Sequence, residues 1–137
     1  MSGNAPILVL IVDDEPLIRW ALAETLIAHG CRIVEACDAQ SAIDVLTDGS
    51  RRFDVVVLDY RLPDAHDLTL LATTRRLSPE SQVVVMTAFM TEDMAIRAME
   101  LGACHVLQKP VELGALAALV LKAARANSRA PRAGGGD

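Results

Sequence analysis

Five short apolar runs, separated by segments with helical periodicity, constrain this chain more than any other feature. Ile7 to Val12, Arg32 to Glu35, Phe53 to Leu58, Val83 to Met86 and Val106-Leu107 are each too short for a membrane span and suit buried strands. Between them lie helical patterns at about Pro16 to His29, Ala39 to Thr47, Leu68 to Leu77 and after Thr91, with a last one at Leu113 to Arg125. Near-continuous apolar strands alternating with helices imply a parallel sheet covered on both faces. The expected fold is therefore α/β, doubly wound, with five parallel strands.

Local signals set the boundaries. Pro16 suits the first turn of a helix, and Gly30 ends it. Ile18, Leu22, Thr25, Leu26 and His29 fall on one face of that helix. Asp38 and Thr91 are expected N-caps, Asp48-Gly49 a turn, Ser78-Pro79 and Gly102 helix stops. Residues 1–6 read as an N-terminal extension, 7–126 as one domain, and 127–137, with Ser, Pro and Gly-Gly-Gly, as a flexible linker or tail.

At 137 residues a second core has no room, and with aromatics at only 3% the single core must be aliphatic. The net charge of -5 argues against direct nucleic-acid binding. Basic residues exceed acidic ones only after residue 110, and so sparsely that the excess reads as solubility. Cys31, Cys37 and Cys104 match neither a disulfide framework nor zinc spacing, which suits a reduced, cytoplasmic setting. No leader-like start and no membrane span are visible, and His29, His66 and His105 have no metal spacing. Trp20 lies off its helix's apolar face, and the methionines read mainly as packing residues.

The polar residues of interest follow the strands: Asp13-Asp14, Asp59, Thr87 and Lys109-Pro110. In doubly wound folds ligands bind outside the strand carboxyl ends, so these four loops should converge. Three carboxylates at close quarters call for a cation, and hard oxygen ligands select Mg2+ on Asp13, Asp14 and Asp59. A carboxylate is also a nucleophile toward phosphorus. Lys109, the Thr87 hydroxyl and backbone N–H groups after Asp59 and Thr87 supply the cation and donors that phosphoryl transfer needs.

Four motifs then make a specific resemblance: Val12-Asp13-Asp14-Glu15, Leu58-Asp59-Tyr60-Arg61-Leu62-Pro63-Asp64, Met86-Thr87-Ala88-Phe89 and Lys109-Pro110. Over residues 7 to about 125 the chain resembles the receiver domains of bacterial two-component response regulators, above all those attached to enhancer-binding transcriptional activators. The resemblance implies the flavodoxin-like strand order 2-1-3-4-5 and Asp59 as phosphoacceptor. Asp13 and Asp14 would bind Mg2+, Thr87 would bind the phosphoryl group and move, and Lys109 would pair with it. Pro110 is expected to follow a cis peptide. The implied partners are a sensor histidine kinase or phosphotransfer protein and a downstream effector, with residues 91 to 108 as the output face and homodimerisation as one use of it. The chain would be a signalling domain and no enzyme beyond its own phosphorylation and dephosphorylation.

Several positions depart from or qualify that pattern. Val106 stands where receivers commonly carry Tyr or Phe, which predicts weaker or different coupling from Thr87. Asp67 replaces a frequent Gly and would alter the loop if that position needed φ > 0. Val111 replaces a frequent Phe. Arg61 and Phe89, two residues after Asp59 and Thr87, are expected to tune signal lifetime, a bulky Phe89 slowing hydrolysis. Two competing readings remain: a docking module that works without phosphorylation, supported by Val106, and an aspartate-nucleophile phosphatase, opposed by Arg61 where a second Asp would stand.

Overall fold

The computed structural model describes residues 5–129. The expected alternation is present throughout: β1 (Leu8–Val12), α1 (Pro16–Ala28), β2 (Arg32–Ala36), α2 (Ala39–Asp48), β3 (Val55–Asp59), α3 (Thr69–Leu77), β4 (Gln82–Thr87), α4 (Glu92–Glu100), β5 (His105–Gln108) and α5 (Leu113–Arg129). All strand pairs are parallel and the order is β2-β1-β3-β4-β5, as the resemblance implied.

Alternate residues of the central strands feed two apolar layers. Leu10, Val12, Val56, Leu58, Val83 and Val85 face Ala42 and Leu46 of α2, Leu70 and Leu71 of α3 and Ala98 of α4. Val9, Ile11, Val55, Val57, Val84 and Met86 face Leu22, Ala23 and Leu26 of α1 with Leu116, Ala117 and Val120 of α5. Burial on both faces is why these strands read as continuous apolar runs. Edge strands β2 and β5 are covered less fully, and their sequences are correspondingly weaker in pattern.

The helix boundaries follow local chemistry. Asp38 caps α2 through its carboxylate on the Ser41 N–H, and the Ser41 hydroxyl returns the bond in a capping box. Thr91 caps α4 by accepting from the Met94 N–H. On α1 the buried face is Leu22, Ala23 and Leu26, whereas Thr25 is half-buried and His29 exposed, so the expected face holds in its centre only. The last helix continues to Arg129, past the expected end at Arg125 and into the first residues assigned to the tail; the rest of that tail lies outside the described residues, as does most of the N-terminal extension. No helix among the described residues is long and apolar enough to cross a membrane.

A candidate phosphoacceptor and metal site

Register alone brings the polar residues together. Val12 pairs with Leu58, so the next residues, Asp13 and Asp59, stand on adjacent strand ends. Asp59 pairs with Met86 and Thr87 with Gln108, which brings Thr87 and Lys109 in line on the following two strands. The chain moves outward to β2 after β1 and crosses back to β3, so this row lies at the topological switch point.

Lys109 is the hub. Its Nζ donates to Asp59 Oδ2 at 2.9 Å, to Asp13 Oδ2 at 3.2 Å and, more weakly, to Glu15 Oε1 at 3.4 Å. The backbone N–H of Lys109 donates to the Thr87 carbonyl at 2.7 Å, and its bond to Pro110 is cis, as expected. Asp13 is completely buried and held at every polar atom. Its N–H donates to the Ala36 carbonyl, its Oδ1 accepts from the Glu15 N–H at 2.9 Å, and its carbonyl accepts from the Arg19 guanidinium at 2.7 Å. Arg19 in turn pairs with Glu35 on β2 at 2.8 Å, tying the loop after β1 to the neighbouring strand.

Asp59 is buried, and its Oδ1 accepts from the Arg61 N–H at 3.3 Å. Burial is the largest influence on this carboxyl and pushes it above the ordinary carboxylate range against the pull of Lys109 and the Arg61 N–H, with the charge of Asp13 adding to the push. Burial works against the charged form of Lys109 too, but its contacts with Asp59 and Asp13 outweigh that and hold it above an ordinary lysine.

Oxygen atoms of Asp13, Asp14 and Asp59 lie within 4.8 Å of one another. Cis and trans ligands on an octahedral Mg2+ stand roughly 3 to 4 Å apart, so small side-chain adjustments would bring these oxygens onto one ion. The donors are all hard oxygens, and one ammonium leaves three carboxylates in negative excess, so the residues fit the ion. Mg2+ would be held by Asp13, Asp14 and Asp59.

The remaining expected residues are distributed unevenly. Thr87 is buried, and its hydroxyl is engaged with the backbone N–H and carbonyl of Phe89, each at 3.2 Å. Phe89 turns its ring outward and is 80% exposed. Val106 is half-buried and packs against the layer beneath α2, α3 and α4. Asp67 causes no left-handed strain, since among the described residues only glycines have positive φ; its carboxylate instead accepts from the Thr69 N–H at the start of α3. Val111 lines an apolar cleft with Ile18, Leu22 and Pro110 between α1 and α5.

Three contributors were not legible as site residues beforehand. Glu15 reaches Lys109, Arg19 fixes the Asp13 carbonyl, and Asp64 accepts from the Ala39 and Gln40 N–H groups at 2.8 and 3.0 Å, fastening the loop after β3 to α2. Glu15 and Asp64 stood inside recognised motifs without assigned partners. Arg19 gave no signal, because its role depends on Glu35 of another strand.

Fold and site define a doubly wound parallel domain with an acidic, oxygen-ligand centre at its switch point. Residues 9–121 match the family model described as the response regulator receiver domain, and the chain belongs to that family. It is 39% identical over 116 residues to the response regulator protein PilR of Pseudomonas aeruginosa, covering 85% of this chain and 26% of that one. It is 38% identical over 118 residues to the transcriptional regulatory protein PdtaR of Mycobacterium tuberculosis, covering 84% and 55% respectively. A CheY-like receiver domain from Methanospirillum hungatei JF-1 superposes with a TM-score of 0.85 over 91% of this chain and 98% of that one; at 21% identity this shows the fold alone. The chain thus spans about a quarter of PilR and a little over half of PdtaR. It is a receiver domain of two-component signalling, not a conventional enzyme, and is homologous to receivers of enhancer-binding activators.

Proposed function

We propose that Asp59 accepts a phosphoryl group from a partner histidine kinase or phosphotransfer protein, with Mg2+ on Asp13, Asp14 and Asp59, and that the change is read by an effector. The observation that carries this reading is the contact of Lys109 with both Asp13 and Asp59 in a buried acidic centre. An Asp59 carboxylate oxygen forms the new bond to phosphorus as the bond to the donor's imidazole nitrogen breaks. That nitrogen keeps the electron pair. Bound Mg2+ supplies charge neutralisation for the transferring oxygens. Lys109 holds one further oxygen, and Thr87 exchanges its bonds with Phe89 for one to the phosphoryl group.

Transcription-regulator relatives support a DNA-binding or other effector as the recipient, acting through α4 and β5, with homodimerisation as one form of output. Three unpaired cysteines support a reduced, cytoplasmic setting. Arg61 and Phe89 tune the lifetime of the adduct: Phe89→Ala is expected to speed its decay, and equal decay rates would remove Phe89 from that role.

The test is incubation with Mg2+ and acetyl phosphate, followed by assay for an acid-stable, base-labile adduct, with Asp59→Ala as control. A long-lived adduct lost in the variant supports the switch. No adduct supports a phosphorylation-independent docking module, and sustained turnover supports a phosphatase.

A further inference from the structure

The chain has four aromatic residues, and they occupy very different places. Phe53 is fully buried before β3 begins, Trp20 is exposed on α1, and Phe89 stands in solvent. Tyr60 is the sole tyrosine, directly follows Asp59, and is half-buried. Its N–H donates to the Met86 carbonyl at 2.7 Å, which anchors its backbone to β4 one residue before Thr87. Its side chain packs against the apolar layer and lines a cleft of about 260 Å³ with Leu68 of the loop before α3 and with Met94 and Arg97 of α4.

Helix α4 is weakly fastened. Ala98 is its one fully buried residue, Ile96 and Met99 are about half exposed, and Met94 is only partly covered. An element with so little buried apolar area shifts at small free-energy cost. The groups that do touch it therefore have a large say in where it rests. Val106 on β5 contributes a short β-branched side chain, which packs, as Met94 does, against the layer that holds Ala98. Tyr60 is long, rigid and amphipathic, and it is the one aromatic ring that lies between the acceptor loop and α4.

We infer that Tyr60 is the residue through which the state of Asp59 is passed to α4, its side chain lining one cleft with Met94 and Arg97 and supplying the aromatic bulk that Val106 lacks. When Thr87 leaves Phe89, the segment between β4 and α4 loses the bonds that hold it. Residues Met94 and Arg97 then move relative to the Tyr60 side chain, and the free volume of the cleft they share gives the ring room to follow. The inference rests on the phosphoacceptor reading of Asp59 and goes beyond it in naming the route of coupling.

A single tyrosine allows a direct test. The full chain labelled with 3-fluorotyrosine is titrated with Mg2+ and beryllium fluoride, while backbone amides are followed in wild type, Tyr60→Phe and Tyr60→Leu. The expected result is a fluorine resonance that moves with the same saturation curve as the amides of residues 92–100. In Tyr60→Leu the amides beside Asp59 still saturate at the wild-type concentration, but the α4 shifts fall by roughly half or more, and Tyr60→Phe retains them. Full-sized α4 shifts in Tyr60→Leu, or a stationary fluorine signal while amides beside Asp59 move, would overturn the inference. Should Tyr60→Leu fail to fold, the fluorine signal of the otherwise unaltered chain still decides. No response of any amide beside Asp59 would instead sink the phosphoacceptor reading on which it rests.

Discussion

Lys109 and Asp59 hold opposing electrostatic positions, and each makes a prediction. Without Lys109, Asp13 and Asp59 would face each other with no ammonium between them, both nearly excluded from water. Lys109→Ala is expected to cost about 2–4 kcal/mol in denaturant unfolding without Mg2+, toward the lower end because Lys109 itself keeps partial contact with solvent. Added Mg2+ should recover much of that loss. For Asp59 the sign is reversed. Its folded-state pKa is raised, chiefly by burial, so the stability it contributes is complete below the unfolded pKa and is lost as pH rises through the folded one. Asp59→Asn should therefore melt higher than wild type at neutral pH without Mg2+, and the difference should vanish on acidification. A variant that melts lower at neutral pH would contradict that account of the site.

Among the elements, α2 is fastened from two sides. Asp38 caps it locally, and Asp64 reaches its first two N–H groups from the loop that follows the acceptor strand. Helix N-termini favour such carboxylates, and losing one costs about 1 kcal/mol. The Asp64 carboxyl lies below its ordinary range, chiefly through the Ala39 N–H. Its contribution is present above the unfolded pKa and lost as pH falls through the lower folded value. Asp64→Ala should lower the melting temperature by a few degrees near neutrality and by progressively less in acid, as pH-dependent thermal melts would report. Gly102, between α4 and β5, is tightly specified: φ is +107°, and a Cβ there would stand 2.7 Å from Arg75 Nε. A helix stop was legible at that glycine, but its contact with Arg75 of α3 was not.

At the scale of the molecule, the buried strands could be read because both faces are covered, which leaves an uninterrupted apolar run such as Val55 to Leu58. The parallel arrangement then followed from alternation, and convergence of Asp13, Asp59, Thr87 and Lys109 from their places at strand ends. Strand order was carried by the resemblance, since periodicity contains no information on neighbours. The contacts of Arg19, Glu15 and Asp64 escaped reading because each joins elements distant in sequence. The end of α5 escaped for a local reason: Asn127 and Ser128 are weak helix formers, yet the helix runs on through them.

The most direct test of the central claim is to locate the phosphoryl group. The chain is treated with acetyl phosphate in the presence and absence of Mg2+, the acyl phosphate is reduced with borohydride, and the peptide spanning residues 53–75 is sequenced by mass spectrometry. Conversion at Asp59 alone, dependent on Mg2+, is the predicted result. Conversion at another carboxylate, or equal adduct formation in Asp59→Ala, would contradict the account.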